Sequence, residues 1–309
     1  MGREGGDESA RKYLQRYPGA IHFSSTAITQ SHLISRPALS IEGENVGQAD
    51  LIAELLTEIT NQARAPMVPM ALFAALLAGL ARGFSGFGSG LIFMPIASAA
   101  LGPRVAVASL LVFDFLVAGL PVLRRIREIE IRGLIPIASG IALFTPVGGW
   151  IAAHGDPVVI RWCLSIAVFA AVALLTAGLK WPGREILPVA LAVGALSGTL
   201  GGMASLSGIV VVIYWLGRNV EPGVLRRNMF TLLLLTAIVQ AATFALNGML
   251  TEHVFAIALL MLVPYVIGTT IGSLAFTLAS PETFRKIVYV MILTSGFVGL
   301  PLFDAWLRR

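Results

Sequence analysis

The sequence predicts an all-α polytopic membrane protein made of two tandem, inverted repeats. Each repeat has one glycine-broken, re-entrant segment followed by three transmembrane helices. Three observations carry the prediction: a charge content too low for a water-facing surface, eight apolar blocks joined by short links, and a glycine-rich run that recurs 115 residues later.

Of the 309 residues, 13% are charged and 56% are hydrophobic. A soluble domain carries about a quarter of its residues charged, so most of this chain's outer surface is suited to lipid. Runs such as 105-VAVASLLVFDFLVAGLPVL-123 and 232-LLLLTAIVQAATFAL-246 approach or reach the length that crosses a bilayer core. They lack the polar–apolar alternation of an outer-membrane barrel strand.

Residues 1–66 differ from the rest, with six Lys/Arg, eight Asp/Glu and no apolar stretch long enough for a signal peptide. Within them, 49-ADLIAELLTEIT-60 has the pattern of a short amphipathic helix through Leu51, Leu55 and Ile59. The remainder reads as polar and disordered. Two origins are open: a cytoplasmic extension, or a start assigned upstream of Met67 or Met70.

The apolar blocks follow at 67–101, 104–123, 134–153, 158–179, 186–216, 224–247, 253–279 and 284–307. Their links carry breakers: Gly102-Pro103, Gly155-Asp156-Pro157, Trp181-Pro182-Gly183, Glu221-Pro222-Gly223 and Ser280-Pro281. As one helix, block one would be about 50 Å long against a hydrocarbon core of about 30 Å. Block five is also over-long, and both carry glycines in mid-segment, so each is expected to break into two half-helices. The two runs superpose: Gly79, Gly83 and Gly86 of 79-GLARGFSGFGSGLIF-93 fall on Gly194, Gly198 and Gly201 of 194-GALSGTLGGMASLSGIV-210. Arg82 then meets Ser197, and the second copy needs about three further residues to realign. The implied repeats are 67–179 and 186–309.

Charge placement supports the inversion. If every block crosses once, the two sides hold eight and seven Lys/Arg of the membrane region. If blocks one and five turn back, the division is eleven against four, the positive-inside bias usual in membrane proteins. Each half then has an odd number of spans, which makes tandem halves inverted. This orientation places the N-terminus outside.

Broken segments cannot expose unpaired backbone to lipid, so they line an enclosed or watery cavity. A half-helix that starts at such a break offers free N–H groups and a positive dipole end, and glycines let the backbone approach an anion. On this basis the candidate binding residues are Arg82, Gly83, Ser85, Gly86, Gly88, Ser197, Gly198, Gly201 and Asn228, with Ser89, Ser205 and Ser207 as further hydroxyl donors. The competing reading of the glycines is close helix packing. Arg82, some 16 residues into an apolar segment, either holds an oxyanion with its planar fork or snorkels to the interface. Asp114, alone in mid-span, is a proton-coupling carboxylate, a partner for Arg82 or a helix contact. Asn228 and Gln240 either line the site or join helices, Arg226 and Arg227 are interfacial charges, and Arg161 is an interface anchor. The lone Cys163, expected to be a small buried hydrophobe, excludes an intrachain disulfide. The four histidines lack metal-ligand spacing, and there is no Walker loop and no nucleophile–base set. The expectation is a non-enzyme with no metal and no cofactor. The membrane region's net +7 belongs to loops near anionic lipid and not to nucleic acid. Homo-oligomers are compatible with all of this.

The run Gly79-x-x-Arg82-Gly83-x-x-Gly86-x-Gly88-x-Gly90-x-x-x-x-Pro95 resembles the opening signature of the sulfite exporter TauE/SafE family. The segment 194-GALSGTLGGMASLSG-208 is similar to its second appearance, and 124-RRIREIEIRG-133 to the family's basic link between second and third spans. The likeness covers about 67–309, with Arg82 standing where the family pattern carries a small residue. It implies a bacterial inner-membrane transporter or exporter of small sulfur anions such as sulfite or organosulfonates, with a proton or another ion as a potential coupling partner. An anion channel and a membrane assembly protein without transport are the alternatives.

Overall fold

The computed structural model describes residues 67–86, 88–119, 134–177, 186–217, 222–278 and 281–303. The expectations for residues 1–66 and for the basic link 124–133 lie outside the described residues, as do the side chains of Ser85, Arg226 and Arg227.

Ten α-helices account for nearly all of the described residues, among which there is no strand. Block one becomes α1 (Val68–Ser85) and α2 (Ser89–Leu101). The next blocks become α3 (Pro103–Asp114), α4 (Ile135–His154) and α5 (Pro157–Ala177). Block five divides into α6 (Leu187–Ala204) and α7 (Ser207–Gly217). Then come α8 (Pro222–Leu246), α9 (Glu252–Leu278), α10 (Pro281–Gly299) and a short 3-10 turn, Pro301–Phe303.

The starts follow local chemistry. Proline occupies the first turn of α1, α3, α4 and α6, where its missing N–H costs nothing. The Asp156 carboxylate caps α5, accepting from the N–H groups of Val158 at 2.8 Å and Val159 at 3.2 Å. At the end of α3 the backbone loosens into a π turn, Phe115–Gly119, directly after Asp114.

The helices carry their bulk outward. Phe73, Leu143, Trp150, Ile166, Val263 and Val290 are among the exposed large hydrophobics, while Ala71, Ala74, Ala75, Ala78 and Ala81 of α1 are fully buried. Small residues inside and large apolar ones outside suit a bundle solvated by lipid, where close backbone packing replaces the hydrophobic effect. Among the described residues, four helices (α4, α5, α6 and most of α9) are long and apolar enough to cross a membrane.

Two helix pairs dominate the packing, α1 with α9 and α4 with α6. They use the same device. A Cβ added to Gly79 would overlap the Tyr265 carbonyl, and one on Gly83 the Thr269 carbonyl. In the other pair Gly194 meets Ile137 and Gly198 meets Ile141 in the same way. From the facing helices, Gly268 abuts Leu76 and Leu80, and Gly140 abuts Leu191 and Ala195. The correspondences hold at two constant offsets, 115 residues from α1 to α6 and 128 from α4 to α9. Lesser contacts follow suit, since α3 packs on α9 as α8 packs on α4.

Two sequence expectations are corrected here. Arg161 is not an interface anchor: it is 2% exposed, and its Nε donates to the Gly299 carbonyl at 3.2 Å, tying α5 to the end of α10. Cys163 is exposed rather than buried, because it lies on the outward face of α5 beside exposed Trp162.

Candidate functional site: a polar cavity between two helix breaks

The first break is made by two glycines in left-handed backbone. Gly86, at φ 77°, closes α1 with its N–H on the Arg82 carbonyl, and Gly88, at φ 91°, opens α2. The second break uses Ser205 at φ 55° and Leu206, whose N–H groups bond to the carbonyls of Gly201 and Leu200. A left-handed serine costs about 1 kcal/mol relative to glycine, and a side chain from another helix secures it. Gln240 of α8 donates from Nε2 to the Ser205 hydroxyl and to the Gly201 carbonyl, each at 3.0 Å. The Gly201 carbonyl, in the last turn of α6, thus accepts both the Ser205 N–H and the Gln240 amide.

The two breaks touch. A Cβ on Gly90 would lie 2.7 Å from the Ser205 carbonyl oxygen, so the first turn of α2 rests directly on the second break. Beside this contact is a cavity of about 80 Å³, room for a few waters or one small ion. Its polar lining comes from break one (Arg82, Ser89), from α3 (Asp114), from break two (Ser205, Ser207) and from α8 (Thr236, Gln240). The first N–H groups of α2 and α7 have no acceptor within their own helices, which gives this space a positive cast.

Arg82 reaches Asp114 with Nη1 to Oδ2 at 3.0 Å, the two side chains being 12% and 25% exposed. The Asp114 Oδ1 accepts the hydroxyl of Tyr265, from α9. Tyr265 is fully buried, its ring centroid 4.8 Å from Phe113, which in turn packs edge-on against Phe93 at 5.1 Å. This aromatic file from α2, α3 and α9 fixes the phenol, so the carboxylate is gripped from both sides.

The sequence candidates divide accordingly. Arg82, Gly88, Asp114 and Gln240 line the cavity. Gly83 and Gly198 lie at the tight helix contacts with α9 and α4, and Gly86 serves the left-handed end of α1. Ser197 is buried and donates to the Ser207 carbonyl at 2.8 Å, holding the start of α7 against α6. Gly201 supplies a carbonyl to Gln240, and a Cβ there would crowd the Ser207 side chain. Asn228 is half-buried near the start of α8 and does not reach the cavity lining. Tyr265 and Thr236 were not anticipated. Tyr265 follows Pro264 inside a long apolar helix, where its sequence neighbours are apolar and give no sign of the carboxylate it meets.

The helices and the cavity define a class: a polytopic helical membrane protein whose polar groups converge where two helices break. The family model described as Sulfite exporter TauE/SafE matches residues 71–298, and the chain belongs to that family. It is a family of membrane transporters of sulfur anions, not of enzymes. No curated protein and no solved structure matches the chain.

Proposed function

We propose that this chain is a secondary transporter of small sulfur oxyanions, sulfite or an organosulfonate, working by alternating access around the cavity between the two breaks in a bacterial inner membrane. One observation carries the reading: Arg82 stands in the cavity where two helix N-termini meet, its guanidinium held, among the described residues, by the displaceable carboxylate of Asp114. A planar guanidinium suits a tetrahedral or pyramidal oxyanion, and the N-terminal N–H groups of α2 and α7 add neutral donors.

The two halves, 67–179 and 186–309, act as inverted repeats, with α1–α2 and α6–α7 as re-entrant pairs. Support comes from the paired offsets of the helix contacts and from the hydrogen bond between Ser197 and Ser207. That bond sets the start of α7 beside the body of α6, as a chain that turns back requires. Rocking one repeat against the other would expose the shared cavity to each side in turn.

The test is uptake of labelled sulfite and sulfoacetate into proteoliposomes. Saturable flux that disappears in Arg82→Ala, with the folded protein recovered at wild-type yield, is the expected outcome. Non-saturating flux would make the protein a channel, and undiminished flux in the variant would remove Arg82 from the site.

A further inference from the structure

Asp114 occupies the position an incoming anion has to take. Its two oxygens hold the Arg82 guanidinium and the Tyr265 hydroxyl, at the edge of the cavity between the breaks. Resting on the reading of this cavity as an anion carrier's site, we propose that transport is coupled to protons through Asp114. One proton enters with each anion and resides on the Asp114 carboxylate, which then releases Arg82 to the substrate.

The reasoning is a balance of charge. Among the described residues lining the cavity, Arg82 and Asp114 are the charged ones, so the empty site is neutral. An anion arriving alone leaves an excess negative charge, and a proton arriving alone leaves an excess positive one. Both states are costly inside a protein surrounded by hydrocarbon, because an uncompensated charge there lacks the solvation of water. Anion and proton together restore neutrality, with Arg82 facing the anion and Asp114 a neutral acid. Two forms can therefore change orientation readily: the empty, ion-paired form and the doubly loaded one. Their shared neutrality couples the two fluxes.

The proton comes from water on the loading side and forms an O–H bond on Asp114. It returns to water on the other side when the anion leaves and the carboxylate re-pairs with Arg82; no other bond changes. The charged or titratable side chains that touch Asp114 are Arg82 from α1 and Tyr265 from α9. Of the other helices packed on α3, α2 and α6 have no titratable residue. Those of α4 and α5 (His154, Arg161, Cys163) do not line the cavity, and α8 meets it with neutral Thr236 and Gln240, its arginines lying near its start. On α9, Glu252 and His253 lie in the first turn, away from Tyr265.

The experiment titrates the purified full chain, in weakly buffered detergent, with methanesulfonate, whose charge is fixed across the neutral range, and with sulfite. A pH electrode counts protons. The wild type should take up about one proton per anion bound, with binding that weakens as protons become scarce. Asp114→Asn, which mimics the neutral acid, should bind the anion without proton uptake. In proteoliposomes it should exchange anion for anion while losing accumulation driven by a pH gradient. Tyr265→Phe, which leaves the ion pair of Asp114 with Arg82 in place, should still take up about one proton per anion bound. If Asp114→Asn does not fold, the proton counts of the wild type and of Tyr265→Phe decide. Anion binding with no proton uptake in the wild type overturns the coupling, as does pH-driven accumulation that survives in Asp114→Asn. Flux that follows a sodium gradient instead also overturns it. A wild type that neither binds nor moves any of these anions overturns the carrier reading itself, and the coupling with it.

Discussion

The two breaks solve one geometric problem with different chemistry. At the first, glycines at 86 and 88 take left-handed backbone without steric cost, and the polar side chain one turn earlier is a charged arginine. At the second, a serine takes the left-handed position and is pinned by Gln240 from a neighbouring helix, while Ser197 stands where Arg82 stands in the first copy. The first carries charge; the second is neutral and braced by Gln240. A pair of matched backbones thus gives an unmatched pair of jobs, with charge handled in the first half and fixed scaffolding supplied by the second.

The comparison can be broken most severely at the helix contacts the halves share. Gly83→Leu and its counterpart Gly198→Leu should each lose at least about 3 kcal/mol, since the new side chain meets backbone rather than a movable side chain. Both are expected to give little folded protein, seen as a collapsed yield in size-exclusion chromatography. Equal damage at the two positions would support matched scaffolds, and damage at one alone would not.

Next is the matched pair Arg82→Ala and Ser197→Ala. The first should abolish anion flux with the protein still folded. The second should leave flux measurable and remove one buried hydrogen bond, about 1 kcal/mol, as a modest fall in Tm. Gln240→Ala should cost about 1–3 kcal/mol through two lost hydrogen bonds, with a lower Tm and slower flux. The smallest effect is expected from Ser205→Gly, which converts the second break into the first. Relief of left-handed strain, about 1 kcal/mol, offsets the lost bond to Gln240, so Tm should stay nearly unchanged.

The helices were legible in the sequence because lipid imposes long apolar runs, and every predicted block that falls in the described residues coincides with helix to within a few positions. That blocks one and five divide was legible from excess length. The exact place of the second division was not. The glycines at 194, 198, 201 and 202 drew attention, yet they lie inside α6; of these, 194, 198 and 202 are required by the close approach of α4, and the chain turns three residues later at Ser205. Glycine answers two different demands, left-handed backbone and narrow helix spacing, and a sequence does not say which one is being met. The later half-helices start at Ser89 and Ser207, an offset of 118, three more than the glycine register and in line with the predicted insertion. Arg82 and Asp114 were legible as isolated charges in apolar surroundings. Tyr265 was not, because its partner lies 151 residues away in the chain. Arg161 misled because a basic residue near a helix start ordinarily reaches for headgroups, whereas here the end of α10 covers it.

The crossed pairing of α1 with α9 and of α6 with α4 has a consequence for ancestry and for engineering. Neither half keeps its own clasp: each lends its fourth helix to the other. On the proposed inverted-repeat reading, a forebear of half this length would have left a glycine-lined face uncovered and needed a second molecule, lying head to tail, to close it. The present chain can be cut in the same way. Fragments ending at Ala177 and beginning at Ile186 should each be degraded when made alone and should rescue one another when made together, as two clasped hands hold only as a pair.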